Sequence, residues 1–198
     1  MHGCRADEGG GVYRPVWILR TEPTHIVTTF AALQPSEDEV TSAVLNVTTT
    51  VQAPHGTSGE SVGLAFHLID SAGQTVQVAP TAPVPLPRIA AGAASEVCST
   101  SLTLLAPPDL WSVRRPALYT LRTELYRSGQ LLDAINTTVG LRTLRFDASE
   151  GLFLNDERVK VKGWCDHDSF GGVGTALPER VHLFKVQAIR ALGGNGRR

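Results

Sequence analysis

The sequence predicts a mostly β chain: an immunoglobulin-like β-sandwich followed by a β-hairpin and one β/α unit. Three observations predict it. From Thr21 to about Ala148, runs that alternate apolar and polar residues are cut at short intervals by Gly, Pro and Asp, and none carries helical spacing. After Gly151 the pattern changes to a tight hairpin, a Gly-rich loop and one amphipathic helix. The composition, 42% hydrophobic and 19% charged over 198 residues, suits a globular chain with room for one full domain and parts of others.

In chain order, the strand-like runs are His25–Ala31, Val40–Val51, Glu60–Asp70, Thr75–Val78, Glu96–Leu105, Leu118–Arg127 and Leu131–Leu144. Face alternation is plain in Leu102-Thr103-Leu104 and in Leu121-Arg122-Thr123-Glu124-Leu125. Turn signals lie at Pro54-His55-Gly56, Asp70-Ser71-Ala72-Gly73, Pro107-Pro108-Asp109 and Ser128-Gly129. Such a series of short strands is the pattern of an immunoglobulin-like sandwich. Pro80 to Ser95, with four prolines, reads as a loop insertion on it. In the hairpin, Leu152 and Leu154 precede an Asn155-Asp156 turn, and Val159 and Val161 alternate with Lys160 and Lys162. The helix starts with Pro178 in its first turn and Glu179 beside it, carries Val181, Phe184, Ala188, Ile189 and Leu192 at helical spacing, and stops at Gly193-Gly194. A loop with Asp166, His167 and Asp168 joins the two, and in a β/α unit that loop is where chemistry sits.

Several function classes drop out. A net charge of −1 removes the electrostatic case for nucleic acid or an anionic membrane surface. No apolar run approaches a membrane span, and the first residues are polar rather than a signal peptide. Cys4, Cys98 and Cys165 are odd in number and far apart, so three free thiols are expected and a cytoplasmic compartment is favoured. The sequons at Asn46 and Asn136 fall inside predicted strands and read as chance. His55 and His67 show no partner in the sequence, and Arg14 wants a carboxylate or carbonyl partner at a domain interface. Trp111 and Tyr119 could stack a sugar, but filling the base of the sandwich is the stronger reading.

The stretch from Gly151 to Arg198 resembles the start of the catalytic barrel in glycoside hydrolase family two, the β-galactosidase and β-glucuronidase family. Three further segments match its pattern in the right order: Gly11-Val12-Tyr13-Arg14-Pro15-Val16-Trp17, Leu110-Trp111-Ser112 through Pro116-Ala117-Leu118-Tyr119-Thr120-Leu121, and Gly140-Leu141-Arg142-Thr143-Leu144. The resemblance implies three parts. Residues 1–20 carry the last strand of a jelly-roll sugar-binding domain, near Val12 to Arg20. Residues 21–148 are the sandwich, and 149–198 are the start of an incomplete TIM barrel. A single jelly-roll strand must borrow a sheet, find a partner chain or stay loosely ordered.

The same resemblance implies a sugar contact for His167, at the mouth of the barrel. Its neighbours depart from the family pattern: Asp166 stands in place of Asn or Arg, Asp168 in place of Gln or Glu, and Ser169 in place of Asp. The substrate-binding assignment therefore rests on His167 first, with Asp166 beside it; the competing reading is a solvated polar crossover. Cys165, His167 and His182 have metal-ligand chemistry, but His182 lies on the helix and a fourth ligand is unassigned, so no metal and no cofactor is expected.

Retaining glycosidases set two carboxyl groups about 5 Å apart. In the family both are glutamates on later barrel strands, and a whole barrel takes about 250 residues. Here only the first strand and helix are expected, roughly Val159 to Leu192, with Asn195 to Arg198 where the second strand begins and Arg198 aligned with a family arginine. Glu157 falls in a hairpin turn, Glu179 at a helix start, and Asp166 and Asp168 on one short loop. The expectation is a fragment of a β-galactosidase-like hydrolase that is inactive alone, with no catalytic residue of its own. Its partners are a β-linked galactoside-type sugar in the full-length parent and the missing jelly-roll and barrel domains. Two alternatives stand: a non-catalytic carbohydrate-binding or interaction module, against which an aromatic content of 6% argues, and a complementing fragment that docks Val181, Phe184 and Leu192 on a separate barrel.

Overall fold

The computed structural model describes residues 12, 14–34, 43–53, 62–77, 84–85, 95–167 and 169–198. Seven strands, antiparallel throughout, form the bulk of it: β1 (His25–Leu33), β2 (Val44–Gln52), β3 (Val62–Ile69), β4 (Val84–Pro85), β5 (Ser95–Thr103), β6 (Tyr119–Arg127) and β7 (Gln130–Val139). They make two sheets, ordered β1-β2-β5 and β4-β3-β6-β7. Period-two patterning explains how the layers meet: Leu45, Val47, Val51 and Leu102 of the first sheet share one core with Leu64, Phe66, Leu68, Leu121 and Leu125 of the second. This is the expected immunoglobulin-like sandwich. The β6–β7 connection is the expected Ser128-Gly129 turn, with φ of 50° and 81°, the left-handed pair that a two-residue hairpin needs.

Polar ties close the sandwich at its edges. Asp133 Oδ2 accepts from Ile26 N–H at 2.9 Å, and Arg127 donates to the buried Thr24 hydroxyl at 2.6 Å. The predicted strand Thr75–Val78 is different in kind. Thr75 bridges to Ile69 in one sheet and Gln77 to Leu104 beside the other, so residues 75–77 pass between the sheets with an isolated bridge to each; Val78 lies outside the described residues. The buried Gln77 amide completes the ladder instead, accepting from Leu68 N–H and donating to Phe66 C=O. Within the predicted loop insertion, Val84 and Pro85 pair with Leu64 and Gly63, and Ser95 is already the first residue of β5; residues 80–83 and 86–94, like His55 and Cys4, lie outside the described residues.

Next comes a meander of β8 (Leu144–Asp147), β9 (Gly151–Leu154) and β10 (Glu157–Arg158). Its second turn is the predicted Asn155-Asp156, with φ of 51° and 62°. Its first is organised by Asp147, whose Oδ1 accepts from the Ser149 hydroxyl and from the N–H groups of Ser149 and Glu150. Those donors, the Ser149 hydroxyl foremost, hold the Asp147 carboxyl down at about 2.

Contacts divide the chain into two compact units, one of Thr21–Val159 and one of Met1–Arg20 with Lys160–Arg198. The second unit contains β11 (Gly163–Trp164), α1 (Glu179–Ala191) and β12 (Gly196–Arg197), with β11 and β12 parallel. Parallel neighbours need a crossover, and α1 supplies it. Pro178 is the residue before the first helical turn rather than within it, with ψ of 150°, and Gly193, with φ of 79°, ends the helix as expected. The half-buried stripe of α1 runs through Val181, His182, Lys185, Ala188 and Ile189. Phe184 and Leu192, expected on that stripe, are exposed, while Lys185 lies on it.

Residues 12 and 14–20, expected to include a jelly-roll strand, belong to no strand, and Arg14, Val16, Trp17, Ile18 and Leu19 face outward. Cys98 is buried and Cys165 exposed. Among the described residues no helix is long and apolar enough to cross a membrane.

On the outer face of β6, the Glu124 side chain is only 12% exposed. Arg122 Nε donates to Glu124 Oε1 and the Tyr126 hydroxyl to Oε2, both at 2.7 Å. His67, for which the sequence offered no partner, places Nε2 3.3 Å from the same Oε2, because β3 and β6 pair in a register that the sequence does not spell out. The Arg122 and Tyr126 bonds outweigh desolvation and lower the Glu124 pKa from 4.5. A lowered carboxylate pKa contributes stability that is complete above the unfolded value and lost as pH falls through the folded value. Glu124→Gln is therefore expected to cost about 1–3 kcal/mol at neutral pH. In urea melts across pH, the gap between wild type and variant should close as the pH drops below about 4.

Candidate functional site

The loop from Cys165 to Leu177 leaves the C-terminal end of β11 and returns to α1. Asp166, the first charged residue past the strand, is pinned rather than free. Its Oδ1 accepts from Lys185 Nζ at 2.9 Å and its Oδ2 lies 2.5 Å from the Arg197 guanidinium. Its backbone N–H donates to Arg198 C=O at 2.9 Å, and Arg198 N–H donates to Trp164 C=O at 3.0 Å. One carboxylate thus joins the end of β11, the middle of α1 and the end of β12. The Lys185 bond foremost, with the Arg197 charge, holds the Asp166 carboxyl below its ordinary value of 3.8 despite desolvation. The opposite end of the strand pair has its own tie. The Asn195 side chain accepts from Lys162 N–H at 2.7 Å and donates to Lys160 C=O at 3.0 Å.

His167 is exposed, one residue beyond this clasp, and its C=O accepts from Lys185 Nζ at 3.1 Å. Its ring has no hydrogen-bond partner among the described residues. Asp168 lies outside them. The loop then turns tightly, Phe170 C=O accepting from Val173 and Gly174 N–H, and the Phe170 ring meets Phe184 edge-on at 6.4 Å. The Gly-rich composition follows from this turn: Gly172 and Gly174 take φ of 79° and 70°. Cys165, His167 and His182 do not gather; among the described residues no three His, Cys, Asp or Glu stand together as metal ligands.

So the two sequence-predicted site residues come together, in different states. Asp166 is committed to an ion pair, and His167 offers its imidazole outward. Lys185 and Arg197 were missed by sequence reasoning. Lys185 had a signal, a cation four residues after Val181 and three before Ala188, between apolar positions of the helix. Arg197 had none, since nothing in the sequence pairs it with Asp166.

The aromatic candidates serve packing. Tyr119 is buried in the core, and its hydroxyl accepts from Asp109 N–H at 2.8 Å. Trp111 covers the segment leaving β7. Its N–H donates to Leu141 C=O at 2.8 Å, the Arg142 guanidinium lies 4.8 Å from its ring, and a Cβ on Gly140 would stand 3.0 Å from ring carbons. Asn155, in the hairpin turn, donates to Trp111 C=O at 3.0 Å and accepts from Thr143 N–H at 3.0 Å.

A close approach also fixes the end of α1. A Cβ on Gly194 would sit 2.6 Å from Ile189 Cγ2, 2.8 Å from Trp164 Nε1 and 3.0 Å from Ile189 C=O. Gly194→Ala should cost about 1–3 kcal/mol by overpacking and shift Trp164 fluorescence. Gly171→Ala, with no atom within 4 Å, should do neither.

The sequence model described as "Glycosyl hydrolases family 2" matches residues 24–142, the stretch that holds the sandwich. A β-galactosidase of Bacteroides ovatus, BoGH2A, is 33% identical over 188 residues, which are 95% of this chain and 21% of that protein. A β-glucuronidase of Formosa agariphila is 25% identical over 198 residues, 94% of this chain and 19% of that protein. Among solved structures, a putative β-galactosidase from Bacteroides fragilis matches with a TM-score of 0.76 at 26% identity, covering 96% of this chain and 28% of that one. The chain spans about a fifth of the length of the relatives it matches. With more than half of its residues matched by the family model, and a fold shared with the family's solved members, the chain belongs to glycosyl hydrolase family 2.

Proposed function

We propose that this chain is the sandwich and barrel-start portion of a retaining β-glycosidase. Within the whole enzyme it buttresses the catalytic barrel and lends His167 to the sugar site; alone it does not hydrolyse glycosides. The observation that supports this most is the parallel β11–α1–β12 unit with His167 on the loop at the C-terminal end of β11. In β/α barrels that end of the strands is where substrate meets chemistry. An exposed imidazole there can donate to or accept from a sugar hydroxyl, and the neighbouring Asp166, charge-paired to Lys185 and Arg197, shapes the loop rather than the ligand.

The proposed inactivity rests on the acids in hand. Hydrolysis with retention needs a nucleophile and an acid/base across one bond. Asp166 is occupied, while Glu157 and Glu179 are exposed on a hairpin and at a helix start. Both working carboxylates belong, in this reading, to barrel strands other than β11 and β12. The exposed Leu183, Phe184 and Val186 on α1 favour the same view, since further barrel elements would cover them. A β-galactoside is the first candidate substrate and a β-glucuronide the second, following the names of the 33% and 25% identical relatives.

The purified chain should release no nitrophenol above blank from 4-nitrophenyl β-galactoside or β-glucuronide; turnover would overturn the proposed inactivity. In the complete glycosidase, His167→Ala should lower kcat/KM about 10- to 100-fold through a lost substrate hydrogen bond. An unchanged kcat/KM would remove His167 from the site.

A further inference from the structure

Lys185 stands in the middle of the half-buried stripe of α1, and its side chain is 11% exposed. An ammonium in such a place loses water that a leucine or methionine would never have needed, so its presence calls for compensation. That compensation is complete. Nζ has three donors and no acceptor, and it reaches three oxygens: Asp166 Oδ1 at 2.9 Å, His167 C=O at 3.1 Å and Ser169 C=O at 3.1 Å. The Phe170 ring centroid adds a weaker contact at 5.6 Å. Two of the three oxygens are backbone carbonyls, and one belongs to His167 itself.

We propose that Lys185 is a positioning residue for His167. The proposal rests on the reading that His167 meets the sugar, and it deepens that reading by naming what holds the imidazole in place. Through the His167 and Ser169 carbonyls the ammonium holds the backbone at those two loop residues, and through Asp166 it holds the strand end before them. His167 then leaves a backbone with little freedom to rotate, although the ring itself is bonded to nothing among the described residues. Arg197 shares the Asp166 charge but makes neither carbonyl bond, so it cannot replace Lys185 in this role.

Lys185→Met keeps the stem of the side chain and leaves Asp166 paired with Arg197. Amide hydrogen exchange in the 198-residue chain should then quicken about tenfold at Phe170, Val173 and Gly174, the loop amides that have acceptors, with the α1 amides unchanged. In the complete glycosidase the same variant should raise KM more than it lowers kcat, a split that general loss of folded protein does not produce. Unchanged exchange in the loop would overturn the proposal. Should Lys185→Met fail to fold, Lys185→Gln, which keeps an amide donor for the carbonyls, should show intermediate exchange; exchange equal to wild type would again overturn it. The two readings fail separately. Faster loop exchange with no kinetic effect of His167→Ala keeps the positioning role and removes the sugar contact. A kinetic effect of His167→Ala with no loop effect of Lys185→Met does the reverse.

Discussion

Asp166 carries its charge between two cations supplied by different elements, Lys185 from α1 and Arg197 from β12. Without that arrangement little would fix the unit of β11, α1 and β12. The β11–β12 ladder is only two residues long, and α1 buries no residue completely. Hydrophobic burial is what normally holds a β/α unit together, and in this unit it is thin. Polar ties bracket the strand pair instead, with Asp166 at one end and Asn195 at the other. A partly buried charge of this kind fixes geometry more than it adds stability, because desolvation offsets much of the attraction. Its lowered pKa keeps it ionised through the neutral range, so the clasp stays closed there.

The motifs that carry the family resemblance turn out to be joints. Trp111, Gly140, Arg142 and Asn155 come from three separate segments and meet at one place. Gly140 has no side chain because the indole lies against its backbone, and Asn155 takes a left-handed turn position while its amide reaches back to the Trp111 carbonyl. Each residue type has a local reason, and the reasons interlock. None of these residues needs to touch a sugar. They set how the meander leaves the sandwich.

The sandwich was legible because period-two patterning and turn chemistry are local. The Ser128-Gly129 and Asn155-Asp156 turns could be placed from residue type alone, and so could the end of the helix at Gly193. What failed was the long-range part. Thr75–Val78 has strand-like residues, but only the three-dimensional path shows that it passes from one sheet to the other. Phe184 looked like a core residue by spacing, whereas Lys185 took the inward position because three oxygens awaited it. Asp166 and His167 were found as neighbours on one loop, but their different states, one paired and one outward, depend on residues 19 and 31 positions further along.

The Gln77 amide has a consequence of another kind. A strand at the border of a sheet leaves donors and acceptors that a second molecule can use, and proteins protect such borders by covering them. Along β3, Gly63 and Leu64 are paired with β4, the Phe66 C=O and Leu68 N–H with the Gln77 amide, and the Leu68 C=O with the Val76 N–H. Replacing that amide would leave the Phe66 C=O and the Leu68 N–H, in the most apolar part of the strand, without the partners it supplies. Loss of one glutamine would then be felt as aggregation at high concentration well before it was felt as unfolding.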